Sequence, residues 1–179
     1  MNERLIEEIE SKNECCYIPV IVISLFCSPT TFEHMDKREA VVRHVQNLAF
    51  IGKAGSNHWT TVDSSHDENS AAVTSPMELI LIALGGCTGS DVAIILEKKR
   101  VRFSKFEMKI TGERAAAEPK VYTTIHIDYC VEGVNLREKD IAHAIELSMT
   151  KYCSVSAMLK KSVALTYSYT IIEAGAAAG

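Results

Sequence analysis

Ser75-Pro76-Met77-Glu78 opens a run that continues Leu79-Ile80-Leu81-Ile82-Ala83-Leu84-Gly85-Gly86-Cys87-Thr88-Gly89 and then passes through Asp91 and Val92 to Leu96 and Lys98-Lys99-Arg100. A hydroxyl at N-cap, a proline at the first helical position and a glutamate at N3 make a capping box, so a helix is predicted to start here. Its apolar residues fall on nearly every side, which predicts a helix buried all round. Cations close the run, where they meet the negative end of the helix dipole.

Gly85, Gly86 and Gly89 surround Cys87 inside this helix. Each glycine in a helix interior costs ~1 kcal/mol relative to alanine, so three of them call for a close approach by another helix, a partner subunit or a substrate. On residue type alone Cys87 reads rather as a small buried hydrophobe in a tight helix crossing. Asp91, one turn on, could face the same side as Cys87, though it reads rather as a solvated or interface carboxylate, and Glu78 reads as a capping residue.

Downstream, Phe106, Met108 and Ile110 alternate on one face, and Val121, Thr123, Ile125, Ile127, Tyr129 and Val131 on another, joined through Gly112 to Pro119. These are expected to pair as antiparallel neighbours. Asn135 with Glu138 three residues on predicts a second helix through Ile141, Ala142, Ile145, Leu147 and Met149 towards Tyr152. Val163, Leu165, Tyr167, Tyr169 and Ile171 alternate as a last strand. Between the two, Cys153 stands in Lys151-Tyr152-Cys153-Ser154-Val155-Ser156, where one helix ends and a short one begins; that following N-terminus would hold its thiol below the usual cysteine range.

Upstream, Val45, Leu48, Phe50 and Ile51, then Trp59 and Val62, come in bursts around Gly52 and Gly55, as two strands with a turn would show, and Asp63 to Thr74 reads as a loop. The expected domain is residues 35–172. Residues 1–34 hold Cys15, Cys16 and Cys27 and differ in pattern from the rest. Because Met35 opens a charged Met-Asp-Lys-Arg-Glu stretch, they read as a lineage-specific extension or a reading frame begun too early. Residues 173–179 form a low-complexity tail, read as disordered.

The chain has 179 residues, 47% hydrophobic and 23% charged, with a net charge of −4 and a pI near 5.9. That size suits one domain, and the charge offers no positive field for nucleic acid. Near the N-terminus the apolar run Tyr17 to Cys27 falls short of the ~20 residues that span a bilayer, and Glu3, Glu7, Glu8 and Glu10 are unlike a secretory signal. A cytoplasmic protein with reduced thiols and no membrane partner is expected. His126 and Cys130 share a strand face without a third ligand, His58 beside Trp59 reads as a hairpin residue, and Cys15-Cys16 lacks metal spacing, so no metal site is expected. Neither a phosphate loop nor G-x-S-x-G is present.

The segment Ser75-Pro76-Met77-Glu78-Leu79 through Gly85-Gly86-Cys87-Thr88, followed by Tyr152-Cys153-Ser154-Val155, resembles the paired-cysteine signature of the OsmC/Ohr family of peroxide-handling proteins, over about Val42 to Ile172. The resemblance implies an α+β fold with two long central helices packed on curved antiparallel sheets, in an intertwined homodimer. It implies Cys87 as peroxidatic and Cys153 as resolving cysteine of a thiol-dependent peroxidase acting on organic hydroperoxides. No resident cofactor is expected, only an external thiol or dithiol reductant. Two positions depart from the pattern: the hairpin offers Lys53 where the family has an arginine, and Met77 stands where the family has a glutamate. Glu78, one position later, is rotated by about 100 degrees on a helix. These departures keep open a redox-sensing or small-ligand-binding dimer without efficient turnover.

Overall fold

The computed structural model describes residues 37–64 and 73–174; the extension 1–34, most of the loop after Asp63 and the tail beyond Ala174 lie outside them. The first apolar burst is not one strand. Asn47 takes a left-handed φ of 49°, which asparagine tolerates, and folds the burst into β1 (Ala40–Gln46) and β2 (Ala49–Ala54). With β3 (Thr60–Asp63) they form an antiparallel sheet in that order, three strands where two were expected.

The capping box forms as predicted: Ser75 Oγ accepts from the Glu78 amide at 3.3 Å, and the Ser75 amide donates to Glu78 Oε2 at 2.7 Å. Those bonds hold the Glu78 carboxyl below its ordinary range, and such a cap stabilises the helix by about 1 kcal/mol. Helix α1 (Pro76–Lys98) follows, 23 residues long. Its length and mean hydropathy of 2.1 would let it cross a bilayer, but the stripe Leu84, Thr88, Val92 and Leu96 is fully buried in the core, as in a core helix. Burial all round does not hold within one chain: Ile82 is 58% and Ile94 49% exposed.

The second sheet has the order β4 (Lys105–Arg114), β5 (Tyr122–Gly133), β6 (Ala164–Glu173). β4 and β5 pair antiparallel, as expected. A bulge where Arg114 faces Tyr122 adds one residue to the ladder, so Tyr122 turns inward and Val121 outward, and the inward face begins at Tyr122 and Ile125 rather than at Val121 and Thr123. β6 lies parallel to β5. Parallel neighbours need a crossover, here supplied by α2 (Glu138–Leu147), a π-helical turn over Ser148–Tyr152, and α3 (Ser154–Leu159). The α+β class is as expected, with two differences: this sheet is mixed, and the second helical arm is broken rather than long. Asn135 does not cap α2, because it sits at φ 57° and Arg137 takes the N-cap.

Ile125, Ile127, Tyr129 and Val131 of β5 face Leu84, Val92 and Leu96 of α1 and Ile141, Ala144 and Ile145 of α2 in one core. Each large aliphatic side chain there contributes roughly 1.5–3 kcal/mol by leaving water. That core fixes the crossing of α1 beneath the π-helical turn, where the two cysteines meet.

Candidate active site

Two of the three glycines around Cys87 are explained within one chain. A Cβ on Gly85 would stand 2.7 Å from Ile110 Cδ1, and one on Gly89 2.5 Å from Met108 Cε, so the Ile110 and Met108 side chains of β4 occupy the space that two bare glycines leave on α1. At Gly86 the same position has nothing within 4 Å among the described residues. Packing of α1 onto β4 and β5 buries Thr88 completely and leaves Cys87 half-buried.

Cys153 reaches the same place from the other side. In the π-helical turn the Cys153 amide donates to the Ser148 carbonyl at 2.9 Å, one residue wider than an α-turn, a device common at functional sites. The chain then breaks into α3 with Cys153 at N-cap, its Sγ accepting from the Ser156 amide at 3.4 Å. The helix start foreseen after Cys153 is therefore present, but its effect is outweighed. Burial pushes the Cys153 thiol up, further helped by the neighbouring Cys87, against the lowering by Ser156.

Cys87 Sγ, Cys153 Sγ and an Asp91 carboxylate oxygen all lie within 4.8 Å of one another. Asp91 is thus not simply a solvated carboxylate; it stands half-buried beside both sulfurs. A directional hydrogen-bond chain holds it. Ser148 Oγ donates to Asp91 Oδ2 at 3.0 Å. With its proton committed there, Ser148 accepts from Thr88 Oγ1 at 2.9 Å, and Thr88 in turn accepts from Tyr129 Oη at 2.6 Å. Burial raises the Tyr129 phenol to about 12, so it stays a neutral donor at the head of the chain. Thr88, Tyr129 and Ser148 were not singled out from sequence. The one available signal was a threonine set between Cys87 and a helix glycine; nothing announced Ser148, whose place depends on the π-helical turn.

The other candidates are engaged elsewhere. Lys53 Nζ lies 4.7 Å from the centre of the Trp59 ring, with the Arg43 guanidinium also over that ring at 5.6 Å. Glu78 is confined to the cap. His126 bonds Thr166 at 2.7 Å through Nδ1 and meets Ser168 and Asp128 through Nε2, on the outer face of the second sheet. Cys130 is a free, half-buried thiol. His58 is exposed between β2 and β3. Cys15, Cys16 and Cys27 lie outside the described residues.

A grouping of two thiols, one accessible and one buried, beside a carboxylate can pass through a sulfenic acid to a disulfide with little movement of the backbone. Against known proteins, residues 67–168 match the family described as OsmC-like protein. Protein YhfA of Escherichia coli strain K12 is 38% identical over 136 residues, covering 76% of this chain and 99% of that protein. A crystal structure of a hypothetical protein from Aquifex aeolicus VF5 superposes with a TM-score of 0.70 at 32% identity, covering 78% of this chain and 99% of the other. An organic hydroperoxide resistance protein OsmC from Legionella pneumophila gives a TM-score of 0.58 at 11% identity, over 76% of this chain and 98% of the other, a likeness of fold.

Proposed function

As the chain belongs to the OsmC-like protein family, we propose that it is a thiol-dependent peroxidase that reduces organic hydroperoxides through Cys87 and Cys153. The observation that carries this reading is the meeting of the two sulfurs and the Asp91 carboxylate within 4.8 Å. The Legionella pneumophila neighbour, named as an organic hydroperoxide resistance protein, supports the same substrate class.

Cys87, the half-buried thiol on α1, is the nucleophile. Its thiolate attacks the terminal oxygen of the hydroperoxide, the O–O bond breaks, and the alkoxide leaves as the alcohol after taking a proton. Cys153, buried and held as a thiol, then attacks the Cys87 sulfenic acid sulfur. Its proton passes by way of Asp91 to the departing hydroxide, which leaves as water, and a Cys87–Cys153 disulfide remains. An external dithiol reduces that disulfide and restores both thiols, so no resident cofactor is needed.

The active form is a homodimer in the cytoplasm. Support comes from the apolar surface that one chain leaves open: a Cβ on Gly86 would meet nothing within 4 Å among the described residues, Ile82 and Ile94 are exposed on α1, and Val41 and Val42 are exposed on β1 and Leu48 in the turn that follows it. Patches of this kind mark association surfaces.

One observation favours a second reading, a redox sensor or ligand-binding dimer with little turnover: Lys53, the cation in Gly52-Lys53-Ala54-Gly55 where the family has its arginine, lies over Trp59. A lysine also lacks the planar fork that positions an oxygen substrate. Consumption of cumene hydroperoxide with a dithiol reductant separates the two. The peroxidase reading expects multiple turnovers that Cys87→Ser abolishes, with Cys153→Ser stalling after one; a wild type that forms its disulfide but does not turn over favours the sensor.

A further inference from the structure

The two thiols and the carboxylate that serve redox chemistry have a second chemical property. We infer that Cys87, Cys153 and Asp91 form a binding site for a thiophilic divalent cation of the zinc type, and that this cation holds the pair reduced and closed to peroxide. Only the blocking of turnover depends on the peroxidase reading above.

Tetrahedral zinc takes sulfur at ≈ 2.3 Å and carboxylate oxygen at ≈ 2.0–2.2 Å, which places its ligand atoms roughly 3.5–3.8 Å apart. The three donors here are already within 4.8 Å of one another, so side-chain adjustment alone closes them on a cation. They come from rigid elements, Cys87 and Asp91 one turn apart on α1 and Cys153 at the π-turn junction. Each of two ligands also has an outer contact that orients it: Ser148 Oγ on Asp91 and the Ser156 amide on Cys153 Sγ.

The donor set selects the metal. Two sulfurs with one oxygen suit zinc and not calcium or magnesium, which require six or more oxygen ligands or a largely hydrated shell. Three protein ligands leave a fourth position for water, and the half-exposed Cys87 side gives the cation a way in. Binding exchanges the two thiol protons, released to solvent, for two metal–sulfur bonds. Coordination draws electron density from both sulfurs and slows their attack on a hydroperoxide, and a sulfur held in the disulfide is no longer a thiolate ligand, so the loaded and the disulfide states exclude each other.

The test is anaerobic titration of the reduced full chain with Co2+, followed by Zn2+. One equivalent of Co2+ is expected to bind with a sulfur-to-cobalt charge-transfer absorption, and one equivalent of Zn2+ to displace it. Cys87→Ser and Cys153→Ser should each lose most of that absorption, and Asp91→Asn should keep it while weakening affinity at least about tenfold. Absence of the absorption in a chain that still forms its Cys87–Cys153 disulfide on oxidation overturns the metal site and leaves the redox reading standing. An absorption that survives in the Cys87→Ser/Cys153→Ser double variant also overturns it, because the ligands then lie elsewhere. A normal metal titration in a chain that forms no disulfide sustains the metal site and overturns the redox reading.

Discussion

Replacing Thr88 by valine keeps the shape of a fully buried side chain and removes only its hydroxyl. That hydroxyl is the joint of the chain that runs from Tyr129 through Thr88 to Ser148 and Asp91. Two buried hydrogen bonds are lost, each about 1 kcal/mol net. The Tyr129 hydroxyl keeps only Met149 Sδ at 3.5 Å, a weak acceptor, so part of the ~1–3 kcal/mol cost of an unsatisfied buried donor is added. Ser148 still donates to Asp91 and is less affected. The sum is about 2–4 kcal/mol, a large share of the ~5–15 kcal/mol that holds a domain together. Urea unfolding of the reduced protein, at one fixed protein concentration because the stability of the proposed dimer would depend on it, measures this directly. Tyr129→Phe removes the donor without leaving it orphaned, so the Thr88→Val/Tyr129→Phe double variant should cost less than the two single changes added, by on the order of 1 kcal/mol. A Thr88→Val protein within about 0.5 kcal/mol of wild type, or strictly additive changes, would refute the directional chain.

Gly86→Leu should leave secondary structure intact while shifting the protein towards monomer in light scattering, since a Cβ at this position meets nothing within 4 Å among the described residues. Gly133→Ala should destabilise the fold by about 1–3 kcal/mol, because its Cβ would meet the Arg102 carbonyl at 3.0 Å and Phe103 Cα at 3.1 Å; Gly55→Ala, with open space around it, is the control in the same urea assay. The hydrogen bond from Lys99 at 3.1 Å, with Arg137 also beside it, holds the Asp140 carboxyl below the usual range against the opposing effect of burial. A depressed folded-state pKa gives stability that is present above the unfolded value of ~3.9 and is lost as pH falls through the folded value. Wild type should therefore lose more thermal stability than Asp140→Asn between about pH 6 and about pH 3, and equal losses would contradict this. Under limiting alkylating reagent Cys87 should be labelled well before the buried Cys153.

What could be read from the sequence was whatever is encoded locally. Ser75-Pro76-Met77-Glu78 names its own structure, because every atom of the capping box lies within one turn. The alternation from Ile125 to Val131 shows which face of β5 is buried. Signals failed where the outcome depends on partners far along the chain. The parallel pairing of β6 follows from a crossover rather than from β6 itself, and the bulge at Arg114 flips Val121 and Thr123 off the expected face.

The exposed side of α1 misled for a different reason: an apolar helix surface reads as buried whether its cover lies in the same chain or in another. At the site, the two cysteines were visible by resemblance, and Asp91 by its place one turn beyond Cys87, but the meeting of all three was not. It depends on the extra residue in the Ser148–Tyr152 turn, which no periodicity records. The Cys153 thiol shows the limit of judging a residue by its neighbours in sequence alone, since a favourable helix start was outweighed by burial.

The most direct test is to treat the reduced protein with one equivalent of cumene hydroperoxide and map its peptides by mass spectrometry without reduction. A disulfide joining the Cys87 and Cys153 peptides, absent in either serine variant, is the predicted result. Cys87 found only as higher sulfur acids, or the bond found to Cys130 instead, would contradict the pairing on which the mechanism rests.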